Sequence, residues 1–253
     1  MDRKARYDRD GYVPLPGLLT AEEVAVLRAE VARISALDSD CVFREGEDGT
    51  AKTMFRMHEA DGPTASAPFR ALARSPRVLG LAQELLADDA LYLHHTKVNM
   101  KGAIEGSVWP WHQDFGSWSR DGIADPDMVT IMVMLDDATE FSGCLHLLPG
   151  SHRDGLVEPR LDATTAYTFW SLPPGQVREA LTETEPVTLS GKAGDGAAFH
   201  CNLFHASGHN LSANDRWQAY FCFNRCANRP QDVPEPRPDY VRSTNWQPLS
   251  LLG

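Results

Sequence analysis

No window of this chain approaches the ~20 consecutive apolar residues that a membrane-spanning helix requires, and the charged opening Met1-Asp-Arg-Lys-Ala-Arg-Tyr-Asp-Arg-Asp10 is not followed by an apolar core of signal-peptide length. No membrane partner is expected, and a cytoplasmic location follows by default. Basic charge is also in short supply: 24 Lys and Arg stand against 35 Asp and Glu, a formal net charge of -11. Such a surface repels phosphate backbones, so nucleic acid is not an expected partner. Cysteines are few and odd in number, five at positions 41, 144, 201, 222 and 226, which argues against a disulfide framework. Cys222 and Cys226 share a strand face by spacing, but no second Cys or His pair follows, so structural zinc is not expected. Internal repeats and low-complexity tracts are missing as well. At 253 residues and 42% hydrophobic composition the chain can fill one substantial core, and one domain over residues 1–253 is expected. Nothing in the sequence speaks to oligomeric state.

What is present is a pattern of metal donors. His112 and Asp114 stand two apart in Trp109-Pro-Trp-His-Gln-Asp-Phe-Gly-Ser-Trp118. On a strand, residues two apart project from one face, so both could reach one ion while Gln113 points away. A third donor must come from elsewhere, with His200, His205 and His209 as the choices. His205 is favoured, because Gly194-Asp-Gly196 precedes an apolar stretch, 197–204, that reads as the strand carrying it. Two imidazoles and one carboxylate leave three octahedral positions open, the arrangement of non-haem Fe(II) oxygenases, so O2 activation is expected. Eleven residues beyond His205, Arg216 opens another strand, Trp217-Gln-Ala-Tyr-Phe-Cys-Phe223. A guanidinium there could hold a carboxylate through two parallel hydrogen bonds.

Taken together, His112-x-Asp114 and His205-x-Ser207-x-x-Asn210-x-Ser212-x-x-x-Arg216 resemble the phytanoyl-CoA dioxygenase family of Fe(II)/2-oxoglutarate oxygenases. Phe141-Ser-Gly-Cys-Leu-His-Leu-Leu-Pro-Gly-Ser-His152 and the opening Asp10-Gly-Tyr-Val-Pro-Leu-Pro-Gly-Leu-Leu-Thr-Ala-Glu-Glu23 are similar to segments of that family. Trp-x-Trp-His-x-Asp-Phe-x-x-Trp with Asp121-Gly122 is closer to the branch of ectoine hydroxylases and free-amino-acid hydroxylases. Tyr92-Leu-His-His-Thr-Lys-Val-Asn-Met-Lys101 and Glu235-Pro-Arg-Pro-Asp-Tyr-Val241 resemble leucine side-chain hydroxylases. The resemblance implies Fe(II), 2-oxoglutarate and O2, with hydroxylation of an unactivated C–H of a free L-amino acid or derivative in secondary metabolism. It also implies that the carboxylate at Asp114 directs the outcome away from halogenation, where related enzymes carry a small residue. At the place where ectoine hydroxylases carry a substrate-contacting Gln, six residues before a 2-oxoglutarate-binding Lys, this chain has His95 and then Lys101.

Periodicity supplies the frame. Thr20 caps a helix running to Ile34, with Glu23 at the capping-box position and Val24, Leu27, Val31 and Ile34 on one face. A second helix is expected over Pro76–Ala87, capped by Ser75. Residues 38–68, with an extended piece at Thr53–His58, are expected to reach over the site. Short strands follow at 91–100, 128–135, 145–148, 187–189, 197–204 and 217–224. The expected fold is mainly β with flanking helices around a double-stranded β-helix, a cupin-like jelly roll. Its parts are a helical portion over 1–90, the jelly-roll core over 91–229 with a lid insertion at about 158–185, weakly helical at its centre, and an extended tail over 230–253.

The resulting candidates are His112, Asp114 and His205 for the metal, and Arg216, Ser207, Lys101, Asn99 and Trp118 for the cosubstrate. Arg56, His58, His95 and Trp170 are the candidates for a small-molecule substrate, their polarity suiting a zwitterion. Each has a plainer reading: core histidine, surface ion pair, solvated strand face or packed indole. Three alternatives remain: an acyl-CoA, carrier-bound or larger natural-product substrate undergoing hydroxylation, desaturation or cyclisation; a zinc hydrolase, since zinc also accepts this donor set; and a non-catalytic jelly-roll binding module.

Overall fold

Strand β6, Met128–Met134, is buried along its whole length, and its alternation divides the core in two. Val129, Ile131 and Val133 join an apolar cluster with the helices, while Met128, Met132 and Met134 join a second cluster that includes Leu145, Leu147 and Leu189. Successive strand side chains project to opposite faces, so one strand feeds both layers. In this computed structural model, which describes residues 2–252, the two layers are two antiparallel sheets with helices against the larger one. The larger, seven-stranded sheet has the order β1-β11-β6-β13-β4-β3-β2. Its members are β1 (Tyr12–Leu15), β2 (Val42–Glu45), β3 (Thr50–Phe55), β4 (Leu91–Lys101), β6, β11 (Gly196–His200) and β13 (Arg216–Arg225). The smaller sheet, β10-β7-β12-β5, is built from β5 (Trp109–His112), β7 (Leu145–Leu147), β10 (Val187–Leu189) and β12 (His205–Ser207). This is the jelly-roll architecture expected from the short, turn-separated strands.

The same alternation sorts β4 and β13. Val98, Met100, Ala219, Phe221 and Phe223 pack on the helix side. Lys97, Asn99 and Lys101 of β4 and Arg216, Gln218 and Tyr220 of β13 therefore face the space between the sheets. Register sets them directly opposite one another: Lys101 with Arg216, Asn99 with Gln218, Lys97 with Tyr220.

Helix α2, Ala21–Ser35, forms as the sequence predicts, with the Thr20/Glu23 capping box made and Val24, Leu27, Val31 and Ile34 buried. Elsewhere the structure departs from expectation. Pro76–Ala87 is not one capped helix: a π-helical turn, Pro76–Gly80, leads into α4, Leu81–Leu86, and the Ser75 side chain makes no cap bond. Two helices escaped the reading, α1 (Arg3–Asp10) and α3 (Ala67–Ala73); in α1 only Tyr7 is buried, so no apolar period marks it. Residues 1–90 also give β1, β2 and β3 to the large sheet, so that portion is not purely helical. The extended piece at 53–58 ends at Phe55, because Arg56 turns into the left-handed region at φ 67. The insertion at 158–185 holds a hairpin, β8 (Arg160–Asp162) with β9 (Phe169–Ser171), followed by α6, Pro174–Glu183.

Beyond Asn228 the tail runs without regular structure but is tied down throughout. Gln231 N donates to Gly122 O, Ser243 N to His94 O and Leu249 N to Leu91 O. Gly122 is at φ 92, and a Cβ there would collide with the Gln231 carbonyl. The strongest tie is ionic. Buried Asp121 accepts from Arg237 Nε at 3.0 Å and Nη2 at 2.6 Å, and lies 3.1 Å from His94 Nε2. Among the described residues no helix is long and apolar enough to cross a membrane, and all five cysteines are free thiols.

Two outcomes follow from these buried polar groups. Asp121→Ala strands Arg237 and His94 without their shared acceptor and is expected to cost about 3 kcal/mol in urea unfolding; a loss within ordinary surface-mutation range would contradict the tie. Burial also pulls His58 and His200 down from 6.5 to about 4 and lowers His94. Histidines with depressed folded pKa values bind protons preferentially when unfolded, so their contribution is intact above pH 6.5 and drains away toward pH 4. The melting temperature at constant ionic strength should fall steadily across that window, and a flat profile would count against buried neutral histidines.

Candidate metal centre and its cavity

The three donors meet, though not on the strands expected. β5 ends at His112, and Asp114 has right-handed backbone angles (φ -55, ψ -37) at the start of α5, Phe115–Trp118. Phe115 N, bonded to Cys201 O, draws the chain out of the sheet at this point. Likewise, the apolar stretch 197–204 is not one strand. β11 stops at His200, where Leu203 N returns to His200 O, and His205 opens β12 in the other sheet. There it stands opposite His112. Gln113 points away as expected, bridging Gly155 O, Asn202 O and Val157 N.

His112 Nδ1 lies 2.8 Å from Pro110 O and His205 Nδ1 2.9 Å from Leu203 O. Each carbonyl holds a proton on Nδ1 and leaves Nε2 as a lone pair. Those Nε2 atoms sit 3.8 and 3.9 Å from the two oxygens of Asp114, and one donor atom from each residue falls within 4.8 Å of the others. All three are buried, and Asp114 Oδ2 has no hydrogen-bond partner. Burial brings His112 down to about 3, with the His205 charge adding to it. Burial alone would raise Asp114, but the charges of Lys97, His205 and His112 outweigh it and hold the carboxyl well below its usual range. Neutral imidazoles, an ionised carboxylate and an orphaned buried oxygen fit a divalent metal. His200 accepts from Asn202 N and stacks on His152, and His209 is exposed; neither joins the cluster.

Past the donors lies a second set of charges. Arg216 is fully buried, donates from Nη1 to Gln218 Oε1 (2.7 Å) and from Nη2 to Gly143 O (2.6 Å), and leaves Nε unpartnered. Gly143, at φ 71, packs where a Cβ would meet the carbonyls of Gly208 and His209. Among the described residues no carboxylate hydrogen-bonds to Arg216. Lys101 Nζ is held by the carbonyls of Ser207 and Gly208, and burial, then the Arg216 charge, lower its pKa to about 6. Asn99 accepts from Thr53 Oγ1 at 2.9 Å. Arg216, Lys101, Asn99 and Ser207 are thus gathered between the sheets.

A cavity opens on the donor side, walled by Phe55, Trp109, Trp118, Tyr167 and Phe169, with His95, Lys97, Ser117 and Arg237 as its polar lining. His95 is buried; its Nδ1 lies 3.2 Å from the tail carbonyl of Val241, leaving Nε2 without a partner. The other substrate candidates do not line this space. Arg56 reaches Asp239 O and Glu59, and His58 sits by Thr96 and Glu59 in a separate pocket. Trp170 lies under the Arg120 guanidinium at 3.6 Å, because β9 turns its neighbour Phe169 inward instead. Lys97 and Arg237 were missed. Lys97 has the parity of Asn99 and Lys101 and was legible; Arg237 lies in a proline-rich tail with no period to expose it.

The profile of the family described as Phytanoyl-CoA dioxygenase (PhyH) matches residues 7–217. The L-proline trans-4-hydroxylase of Streptomyces griseoviridis is 34% identical over 265 residues, spanning 98% of this chain and 94% of that protein. The ectoine dioxygenase of Nocardia farcinica is 32% identical, spanning 98% and 86%. The crystal structure of EctD from S. alaskensis with 2-oxoglutarate and 5-hydroxyectoine superimposes with a TM-score of 0.83 at 28% identity, covering 98% of this chain and 86% of that one. Donor geometry, buried arginine, architecture and sequence agree that this chain belongs to the phytanoyl-CoA dioxygenase family.

Proposed function

We propose that this dioxygenase hydroxylates an unactivated C–H of a free L-amino acid or small amino-acid derivative, using Fe(II), 2-oxoglutarate and O2. The observation that carries the substrate class is Arg237, whose guanidinium lies on the wall of the same small cavity that the metal donors line. Asp121 already engages Arg237 through Nε and Nη2, so it is the remaining Nη1 face of the guanidinium that a substrate carboxylate would meet and a purely hydrocarbon substrate would not. Neutral His95 presents an acceptor at Nε2 to a donor N–H, and the aromatic walls exclude water and hold the carbon skeleton. Relatives named for L-proline and for ectoine support a substrate of that size.

In this reading His112, Asp114 and His205 hold the iron, and Arg216 takes the distal carboxylate of 2-oxoglutarate. Lys101 and Ser207 lie beside it. A dianion there relieves the cost of burying Arg216 and Lys101 together. A metal held by these three residues would supply the chemistry that couples O2 reduction to oxidative decarboxylation of 2-oxoglutarate, with succinate, CO2 and one oxygen in the substrate as products. A hydrolytic zinc site would leave Arg216 without a task.

The test is to incubate the Fe(II)-loaded protein with 2-oxoglutarate, O2 and a panel of free L-amino acids and cyclic derivatives, reading succinate and product mass together. Substrate-stimulated succinate with a one-oxygen mass gain is expected, and Asp114→Gly should abolish both; hydroxylation retained in that variant would overturn the ligand assignment. Arg216→Ala removes charge-assisted bonds worth about 3 kcal/mol, so the apparent KM for 2-oxoglutarate should rise about a hundredfold, with substrate KM much less affected. An unchanged 2-oxoglutarate KM would remove Arg216 from its role.

A further inference from the structure

Lys97 lines the cavity but has no part in the reading above. Its Nζ lies 3.3 Å from Asp114 Oδ1 and 5.1 Å from the centre of the Tyr220 ring, the residue opposite it on β13. Asp114 Oδ1 therefore carries a charged donor, while Oδ2 has no hydrogen-bond partner. Both imidazoles are fixed by backbone carbonyls, so the carboxylate is the member of the donor set with a choice of how to bind.

We infer that Lys97 is a positioning residue that occupies Asp114 Oδ1, so that Oδ2 alone is offered to the metal. The inference rests on the metal assignment proposed above. A carboxylate free at both oxygens can chelate a cation with two bonds. One whose Oδ1 is drawn toward an ammonium is biased to bind through the other oxygen alone, and the coordination position this leaves open is one that a bidentate 2-oxoglutarate needs. The arrangement has an electrostatic consequence of definite sign. Neutral partners that orient a ligand strengthen metal binding; an ammonium beside the donor set repels an incoming dication and draws electron density from the carboxylate, so it weakens it. Lys97 thus trades metal affinity for an open position. Removing it should move the two affinities in opposite directions, which neither a packing defect nor a lost substrate contact does.

The experiment uses the full chain with Mn(II), which binds such donors without turnover. Free Mn(II) is counted by electron paramagnetic resonance, and 2-oxoglutarate is titrated calorimetrically into the Mn(II)-loaded protein. Lys97→Met is expected to bind Mn(II) about tenfold tighter and 2-oxoglutarate about tenfold more weakly than wild type. Lys97→Gln keeps a donor for Oδ1 without the charge; it should tighten Mn(II) binding while leaving 2-oxoglutarate near wild type. If Lys97→Met does not fold, the glutamine variant still decides the electrostatic part: unchanged or weaker Mn(II) binding overturns it. Weakening of both ligands together in Lys97→Met, or no change in either, overturns the positioning role. Failure of the wild-type protein to bind Mn(II) removes the metal assignment itself, a result distinguishable from the others because it needs no Lys97 variant.

Discussion

Burying cations between two sheets is the constraint on which this molecule depends. Lys97, Lys101 and Arg216 reach the interior because β4 and β13 alternate, and the opposite face of both strands is already committed to the helices. No rotation of either strand can release them without exposing Val98, Met100, Phe221 and Phe223 instead. The interior must therefore supply counter-charge or receive it. Asp114 answers Lys97; Arg216 is left facing Gln218 and the Gly143 carbonyl, and Lys101, its pKa lowered to about 6, holds its proton poorly at neutral pH until an anion arrives. A protein that keeps unanswered positive charge in its core is organised around an anion.

The remaining architecture serves that arrangement. The small sheet places two histidines opposite one another, and a single turn of helix swings the carboxylate beneath them. The β8–β9 hairpin and the indoles of β5 and α5 supply an apolar wall, so charges inside act through a medium far less screening than water. The tail contributes backbone as much as side chain. Val241 O fixes which nitrogen of His95 carries its proton, and Asp121 aims Arg237. The wall of the cavity is in this way divided between the sheet and a segment lying beyond residues 7–217, the portion shared with the family profile.

Much of the candidate site was legible because its residue types are costly to bury and their spacing is specific: His112, Asp114, His205 and Arg216 come together although the strands expected to carry Asp114 and His205 are not the ones that do. The backbone itself was read less well. Apolar residues 197–204 continue through a turn at Cys201-Asn202, and no hydrophobic pattern distinguishes a buried turn from a buried strand. Trp170 is a candidate by its chemistry, but strand parity turns its neighbour Phe169 inward, and parity cannot be set without the register of β8 and β9. Lys97 could have been found from Asn99 and Lys101 alone. Arg237 could not, since its place is fixed by an ion pair with a residue 116 positions away.

The order of strands in the large sheet bears on how the chain is made. β13, the last strand of the sequence, lies between β6 and β4 in the middle of that sheet, and the first strand, β1, pairs only with β11. As the chain leaves the ribosome, β4 and β6 must wait with open edges for a partner synthesised some hundred residues later, and β1 waits longer still. Such pairings close late and slowly, and the waiting edges are surfaces on which nascent chains aggregate. The strand order thus makes shielding of those edges during synthesis a requirement separate from the stability of the finished fold.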